Sequence, residues 1–353
     1  MVAAATIEPY TGDFEDVAEL TARAWAEAYG GTHRYLLWDA AFLRWQFGRD
    51  PARLSVAAYR DGALVGAYLA TPHDVRVHGT NHRSALCSWC VVAPEHRDPG
   101  LAIGLINALG ARLKAHGCAF GIGFVSGDEG SLADRFWRAY SRTYPDKLRF
   151  AGALAAWVRV LNPRRFSAAM LAGWERISAR LLGPAANALP LGAGLTLRPY
   201  RDDDLEACAS ALKARSAGAD WTLDWSTAAL SEQLQGPVTN TVVLDRDGRP
   251  QAFANYHGLA LFGRSRLSAA MVDLIADAGL GLVRRTRFLA ALCRHLRRQG
   301  YDLVMAVRGC LTAAPAFLAN MFVPMPGVGR IATIFPQTEI PAPAPNRLVL
   351  PLR

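Results

Sequence analysis

The stretch Ala85-Leu86-Cys87-Ser88-Trp89-Cys90-Val91-Val92, continued by Ala93-Pro94-Glu95-His96 and Arg97-Asp98-Pro99-Gly100-Leu101-Ala102, governs how the rest of the chain is read. Ala85–Val92 is an apolar run of strand length, and Pro94 closes it. Beyond it Ala102, Leu105, Ile106, Leu109 and Leu113 recur at helical spacing and make one stripe. A strand therefore passes into a helix through a short loop that carries Gly100. The first N–H groups of such a helix have no partner inside it, and the helix dipole attracts an anion to them. Gly100 permits close approach, and Arg97 adds a charged donor. The stretch reads as a cradle for a pyrophosphate, with an ordinary strand-to-helix turn as the plain alternative.

Working outward, the same order of elements occurs twice. Ile7–Tyr10 reads as a short strand, and Gly12–Val17 as a turn and a helix with an acidic first turn. Leu195–Tyr200 and Asp202–Leu205 repeat this. A Trp-containing helical patch follows each, Leu37–Phe47 and Trp221–Leu234. Next come two hairpins. Leu54–Tyr59 and Ala63–Thr71 flank Asp61-Gly62; Thr241–Leu244 and Gln251–Tyr256 flank Asp247-Gly248. Asp-Gly between alternating apolar runs is a strong hairpin signal. A third strand, a helix (Leu101–His116, Arg284–Gln299) and a fourth strand (Phe120–Val125, Leu303–Val307) complete each copy. An internal duplication explains the pattern. The expected organisation is α+β: a first unit over 1–162, a connector over 163–194, and a second unit over 195–353. Phe166, Met170, Leu171, Trp174, Ile177, Leu181 and Leu182 give Pro163–Gly194 the spacing of a helix. It would either pack on both units or rest on a membrane surface.

Composition limits the function classes. The chain has 353 residues, 51% of them hydrophobic and 20% charged, which rules out a disordered polymer. No apolar run reaches the roughly 18 residues of a membrane span. Met1–Leu20 is acidic, unlike a signal peptide, so a cytoplasmic location is expected, with peripheral contact at the inner membrane face as an option. The net charge of +9 is uneven: residues 1–162 hold 17 basic and 16 acidic residues, and residues 163–353 hold 22 and 14. On the helix over 284–298, Arg284, Arg287, Arg294 and Arg298 share one face, which suits solvent, an anionic membrane or an acyl carrier protein. No recognition motif or stacking platform accompanies this charge, so nucleic acid is not an expected partner. Cys87 and Cys90 form a Cys-x-x-Cys with no second pair, and no metal is expected.

Arg97-x-x-Gly100-x-Ala102, after a strand ending Val92-Ala93-Pro94-Glu95-His96, resembles the acyl-CoA loop of the GNAT superfamily of N-acyltransferases. Two such units with the loop only in the first resemble the N-myristoyltransferase arrangement. The segment Leu161-Asn162-Pro163 and the ending Leu348–Arg353 are similar to that family too. The resemblance implies a mixed, mostly antiparallel sheet flanked by helices in each unit. It also implies acyl-CoA, or an acyl carrier protein, held by Val92, Arg97, Asp98, Pro99, Gly100, Leu101 and Ala102. The backbone of Trp89, Cys90 and Val91 would face the thioester carbonyl.

The implied reaction is attack of a primary amine on a long-chain acyl thioester without a covalent enzyme intermediate. Acetylation of a small amine and non-catalytic acyl-CoA binding are the alternatives. The base would be the terminal carboxylate of Arg353, by resemblance, or an internal carboxylate such as Asp273. Tyr256, His257, Asp273 and Asp277, at strand ends of the second unit, are the candidate acceptor-binding residues. The acceptor is expected to be a lipid amine such as a sphingoid base, an amino acid, or a peptide N-terminus.

Overall fold

The computed structural model describes residues 5–97, 99–126, 129–173, 189–308, 314–343 and 347–351. The chain divides into two compact units. The first comprises the described residues up to Ala153 together with Gly329–Ala342. The second comprises Leu154–Val328 and the described residues from Pro343.

The chain enters through β1 (Thr6–Pro9), α1 (Phe14–Tyr29), β2 (Tyr35–Leu37), α2 (Ala40–Phe47) and α3 (Pro51–Leu54). The side chains of Asp13 and Asp39 cap α1 and α2 by accepting the N–H groups of Glu15 and Phe42. Three antiparallel strands follow: β3 (Val56–Arg60), β4 (Ala63–Val77) and β5 (Thr80–Val92). Asp61 and Gly62 turn β3 into β4 with φ of 50° and 77°, the left-handed pair that a two-residue hairpin requires. Next are α4 (Pro99–Ala115), β6 (Phe120–Ser126), α5 (Leu132–Thr143) and β7 (Leu148–Val160). The first unit's sheet runs β1-β3-β4-β5-β6, antiparallel except for the parallel pair β5–β6. Leu105, Ile106, Leu109 and Leu113 of α4 are fully buried against β3, β4 and β5. Close packing is visible at Gly121 on β6, where a Cβ would come 2.7 Å from Cys87 Sγ and 3.2 Å from Leu113 Cδ1.

The second half continues with α6 (Pro163–Ala169), β8 (Leu195–Pro199), α7 (Leu205–Ser216), β9 (Trp221–Leu223) and α8 (Thr227–Gln235). It then repeats the meander as β10 (Thr239–Arg246), β11 (Arg249–Phe262) and β12 (Arg266–Ala276), with Asp247-Gly248 at φ 53° and 81°. The described elements close with α9 (Leu282–Arg298), β13 (Leu303–Val307), α10 (Ala314–Ala319), β14 (Val323–Ile334) and β15 (Leu348–Val349), which pairs with β9. The sheet order is β8-β10-β11-β12-β13, again parallel only at β12–β13. Side chains alternate across it. Val242, Leu244, Ala254 and Tyr256 pack under Phe288, Leu292 and Leu296 of α9. Val243, Phe253 and Leu274 face Cys208 and Leu212 of α7 and Leu230 and Leu234 of α8.

Each sheet gains a last strand from elsewhere in the chain. Gly329–Ile334 of β14 pairs antiparallel with β6, and residues Ala156–Val160 of β7 pair antiparallel with β13. The unit boundary therefore falls inside β7, between Ala153 and Leu154, and not at residue 162; a segment near the C-terminus belongs to the first unit.

The Leu161-Asn162-Pro163 segment has a local reason. Leu161 and Asn162 donate their N–H groups to the Asp302 carbonyl at 2.8 and 2.9 Å. The Asn162 side chain donates to the Asp302 carboxylate and accepts the Arg165 N–H, capping α6. The expected continuous helix through Pro163–Gly194 is corrected at its start. The helix ends at Ala169, because Met170 takes an extended backbone and the Ala169 carbonyl accepts the Arg264 N–H. Residues 174–188 of that expected helix lie outside the described residues.

Candidate active site

Strands β4 and β5 pair regularly except at one place. Ala67 faces Val91 and Leu69 faces Ser88, so Tyr68 alone stands opposite both Trp89 and Cys90. This is a β-bulge, with one more residue on β5 than its partner can bond. Trp89 has φ of 56°, in the left-handed region that a bulky side chain seldom adopts. Its indole is buried, with ring centroids 5.1 Å from Trp38, 5.4 Å from Phe47 and 6.1 Å from Phe42. The aromatic partners come from the Trp-containing patch that the sequence marks as a helical element; its service to the bulge is a matter of tertiary placement. Val91 continues the strand and Val92 is half-buried at its end.

A single helical turn over Pro94–His96 leads from β5 into α4. Gly100 is exposed, Leu101 buried and Ala102 half-buried in the first turns of α4. Asp98 lies outside the described residues, and of Pro99 only its backbone place at the start of α4 is described. The loop is fastened to α1. Arg97 donates to the Ala24 carbonyl at 2.6 Å and to Glu27 at 3.1 Å, and Arg23 pairs with Glu95 at 2.9 Å. Arg60 donates to His96 Nδ1 at 2.9 Å. The Arg97 side chain is 27% exposed, and its guanidinium ties the loop to α1.

The second unit repeats the bulge with different chemistry. Asn255 faces Leu274 and Tyr256 faces Val272, which leaves Asp273 as the extra residue inside β12. Its Oδ2 lies 2.8 Å from His257 Nδ1, and both side chains are closed to solvent. Gln233 donates to Asn255 at 2.6 Å and to Asp273 at 3.4 Å, and Asn255 donates to Thr241 at 2.9 Å. The result is a connected polar interior. Asp277, after β12, is fully buried beside Arg285 at 2.9 Å and Arg215 at 4.0 Å. Burial raises its carboxyl to about 6, against the pull of the two arginines. Tyr256 is in the core and its hydroxyl meets His295 Nε2 at 2.9 Å. Tyr256, His257, Asp273 and Asp277, the candidate acceptor-binding residues, are therefore all enclosed in the second unit. Strand β12 runs on to Ala276, beyond Val272 where the sequence pattern ends it, so Asp273 lies inside the strand.

Arg353 lies outside the described residues. Cys87 is buried, and burial pushes the Cys90 thiol up to about 12, which keeps it protonated near neutrality. Among the described residues no group of three or more His, Cys, Asp or Glu could hold a metal ion. No described helix is long and apolar enough to cross a membrane. On α9, Arg294 donates to the Leu189 carbonyl at 2.9 Å and Arg287 lies against Gly192, so two of the four face arginines hold the segment before β8. Arg284 and Arg298 are exposed.

A bulged strand followed by a helix occurs twice in the chain, and the glycine loop between them once. Residues 8–136 match the family model described as an acetyltransferase (GNAT) domain. The whole chain has the fold of Saccharomyces cerevisiae N-myristoyltransferase solved with bound myristoyl-CoA and inhibitors. The TM-score is 0.74 at 14% identity, covering 100% of this chain and 87% of that one. A GCN5-related N-acetyltransferase from Kribbella flavida is similar over 94% of this chain and 70% of its own, with 15% identity and a TM-score of 0.54. A probable N-acyltransferase from Enterococcus faecalis is similar over 95% and 74%, with 11% identity and a TM-score of 0.53. No curated protein sequence matches the chain.

Proposed function

We propose that the protein moves a fatty acyl group from acyl-CoA, or from an acyl carrier protein, to a primary amine. The observation that carries this reading is the bulge at Trp89 and Cys90, followed past the turn over Pro94–His96 by the first turn of α4 at Gly100. The first turn of α4, over Pro99–Ala102, receives the pyrophosphate through its N–H groups, with Val92 beside the pantetheine arm. The backbone at Trp89 and Cys90, left without register partners by the bulge, and at the adjoining Val91 faces the thioester carbonyl as it becomes an oxyanion, and a donor so placed is worth about 3–4 kcal/mol. The neutral amine attacks the carbonyl carbon, the C–N bond forms, the C–S bond breaks, and the thiolate leaves with the amine proton or a solvent proton. The high pKa of Cys90 argues against an acyl-cysteine intermediate. With Asp273 and Asp277 enclosed, the base assignment rests on the Arg353 carboxylate that the resemblance implies.

A long acyl chain is favoured by the full-length likeness to an enzyme solved with myristoyl-CoA. Each methylene buried from water adds about 0.8 kcal/mol of selectivity. Acetylation of a small amine is the second reading, favoured by the acetyltransferase description of the matching domain. For the acceptor we propose a lipid amine met at a membrane surface. Leu282 and Val283 at the start of α9 are 51% and 64% exposed beside the exposed Arg284, a combination that suits an anionic interface. The test mixes purified protein with acetyl-, myristoyl- or palmitoyl-CoA and a panel of sphingoid bases, amino acids and glycyl peptides, and follows free thiol. Release that rises with chain length supports the reading. Thioester binding without thiol release from any pair overturns it in favour of a binding protein.

A further inference from the structure

The two bulges differ in one respect that the proposed reaction makes consequential. Both third strands carry one extra residue at the same point of the duplicated meander. In β12 that residue, Asp273, keeps an ordinary negative φ, and the ladder resumes beside it. In β5 the residue is Trp89, at φ 56°. A left-handed backbone is thus no automatic result of inserting a residue here. Left-handed bulge positions are normally filled by glycine, since a Cβ opposes that geometry. A tryptophan stays there only if its surroundings outweigh the preference.

Those surroundings are the rings of Trp38, Phe42 and Phe47, which hold the indole edge-on or tilted at 5.1–6.1 Å. Trp89 Nε1 is buried and makes no hydrogen bond among the described residues. The indole is therefore held by shape and ring contact, not by a polar tether. The same three rings are held in turn by the capped helix α2 and the chain just before it, with the Asp39 side chain accepting the Phe42 N–H at 2.9 Å.

We propose that Trp89 is a positioning residue whose caged indole holds the β5 backbone in its left-handed turn and so keeps the adjoining N–H group of Cys90, which has no register partner on β4, aimed out of the ladder. This inference rests on the acyltransfer reading and extends it: the aromatic cage of α2 sets the oxyanion geometry. A side chain whose only service is to fill space would make a different prediction from one that sets φ.

The experiment compares Trp89→Phe, Trp89→Ala and Trp89→Gly in the full chain. It measures kcat by thiol release, acyl-CoA Kd by calorimetry and melting temperature by circular dichroism. Phe retains kcat within about threefold, because ring contact suffices. Ala removes the anchor while retaining the Cβ that resists positive φ, and kcat falls about a hundredfold, the scale of a misaimed oxyanion donor. Gly removes the anchor but tolerates positive φ, so kcat recovers at least fivefold over Ala although Gly melts no higher. Acyl-CoA Kd stays within about threefold throughout, since the phosphate loop is untouched. Trp38→Leu, which loosens the cage without altering the strand, also lowers kcat at constant Kd and serves if the Ala variant does not fold.

A kcat order that follows melting temperature, with Gly at or below Ala, overturns the inference. So does a Trp38→Leu variant with wild-type kcat. Absence of turnover by the wild-type protein is a separate result; it removes the acyltransfer reading and this inference with it.

Discussion

Replacing Arg97 by alanine separates two accounts of the same residue. In the structure the guanidinium is about three-quarters buried and donates to the Ala24 carbonyl at 2.6 Å and to Glu27 at 3.1 Å. A charged donor on a carbonyl contributes about 1.5–3 kcal/mol. Glu27 is 59% exposed, so its pair with Arg97 adds roughly 0–1 kcal/mol and weakens with salt. Allowing for relaxation of the loop, Arg97→Ala lowers stability by about 2 kcal/mol. The effect on donor binding is indirect, through a looser Pro94–Gly100 loop, and amounts to a three- to tenfold rise in acyl-CoA Kd. A guanidinium seated on the diphosphate would instead contribute about 1.5–3 kcal/mol to binding, a 10- to 150-fold change in Kd that shrinks at high salt. Urea unfolding and calorimetric titration of CoA at low and high salt measure both quantities. Unchanged stability together with a hundredfold, salt-sensitive loss of CoA affinity would refute the assignment of Arg97 to α1.

Other outcomes follow from the second unit and from close packing. Asp277 has a folded-state carboxyl near 6 against 3.8 unfolded, so the folded chain holds that proton more tightly. Stability from this group is complete below about pH 4 and is lost as pH rises to about 6, on the order of 3 kcal/mol, and Asp277→Asn flattens that part of a urea-midpoint versus pH profile. Asp273→Ala removes the buried carboxylate that His257 and Gln233 meet and lowers unfolding free energy by about 3 kcal/mol, while acyl-CoA affinity in the first unit holds. Gly121→Ala forces a Cβ against Cys87 and Leu113 and costs about 1–3 kcal/mol by chemical denaturation. Removing Leu352 and Arg353, just beyond the buried Leu350, reduces kcat at least tenfold with little change in acyl-CoA Kd if the Arg353 carboxylate is the base; full turnover moves that role elsewhere.

Local chemistry makes much of this fold readable. Asp61-Gly62 and Asp247-Gly248 announce both hairpins because their geometry needs residues that tolerate positive φ. The Leu105–Leu113 stripe announces α4 because burial and helical period coincide there. Residues Trp89 and Cys90 are pointed out by their distance from Arg97, yet nothing local marks a left-handed tryptophan, which depends on rings some 40–50 residues earlier in the chain. The direction of Arg97 is equally hidden, since its partners Ala24 and Glu27 lie on α1. His257 and Asp273 both stand out in the sequence, but their enclosure depends on Gln233 and Asn255 closing over them. The end of α6 at Ala169 has no glycine or proline to signal it; a carbonyl taken by Arg264 sets it.

The borrowed last strands, Gly329–Ile334 beside β6 and Ala156–Val160 beside β13, constrain how this gene can be cut. A fragment ending near residue 162 would carry β6 with an open edge, its amides and carbonyls bare along the seam that β14 normally zips, and such an edge recruits other copies. The duplication thus cannot be undone by simple scission: each half has outsourced one seam of its sheet, and a viable single-unit descendant would first have to regrow it.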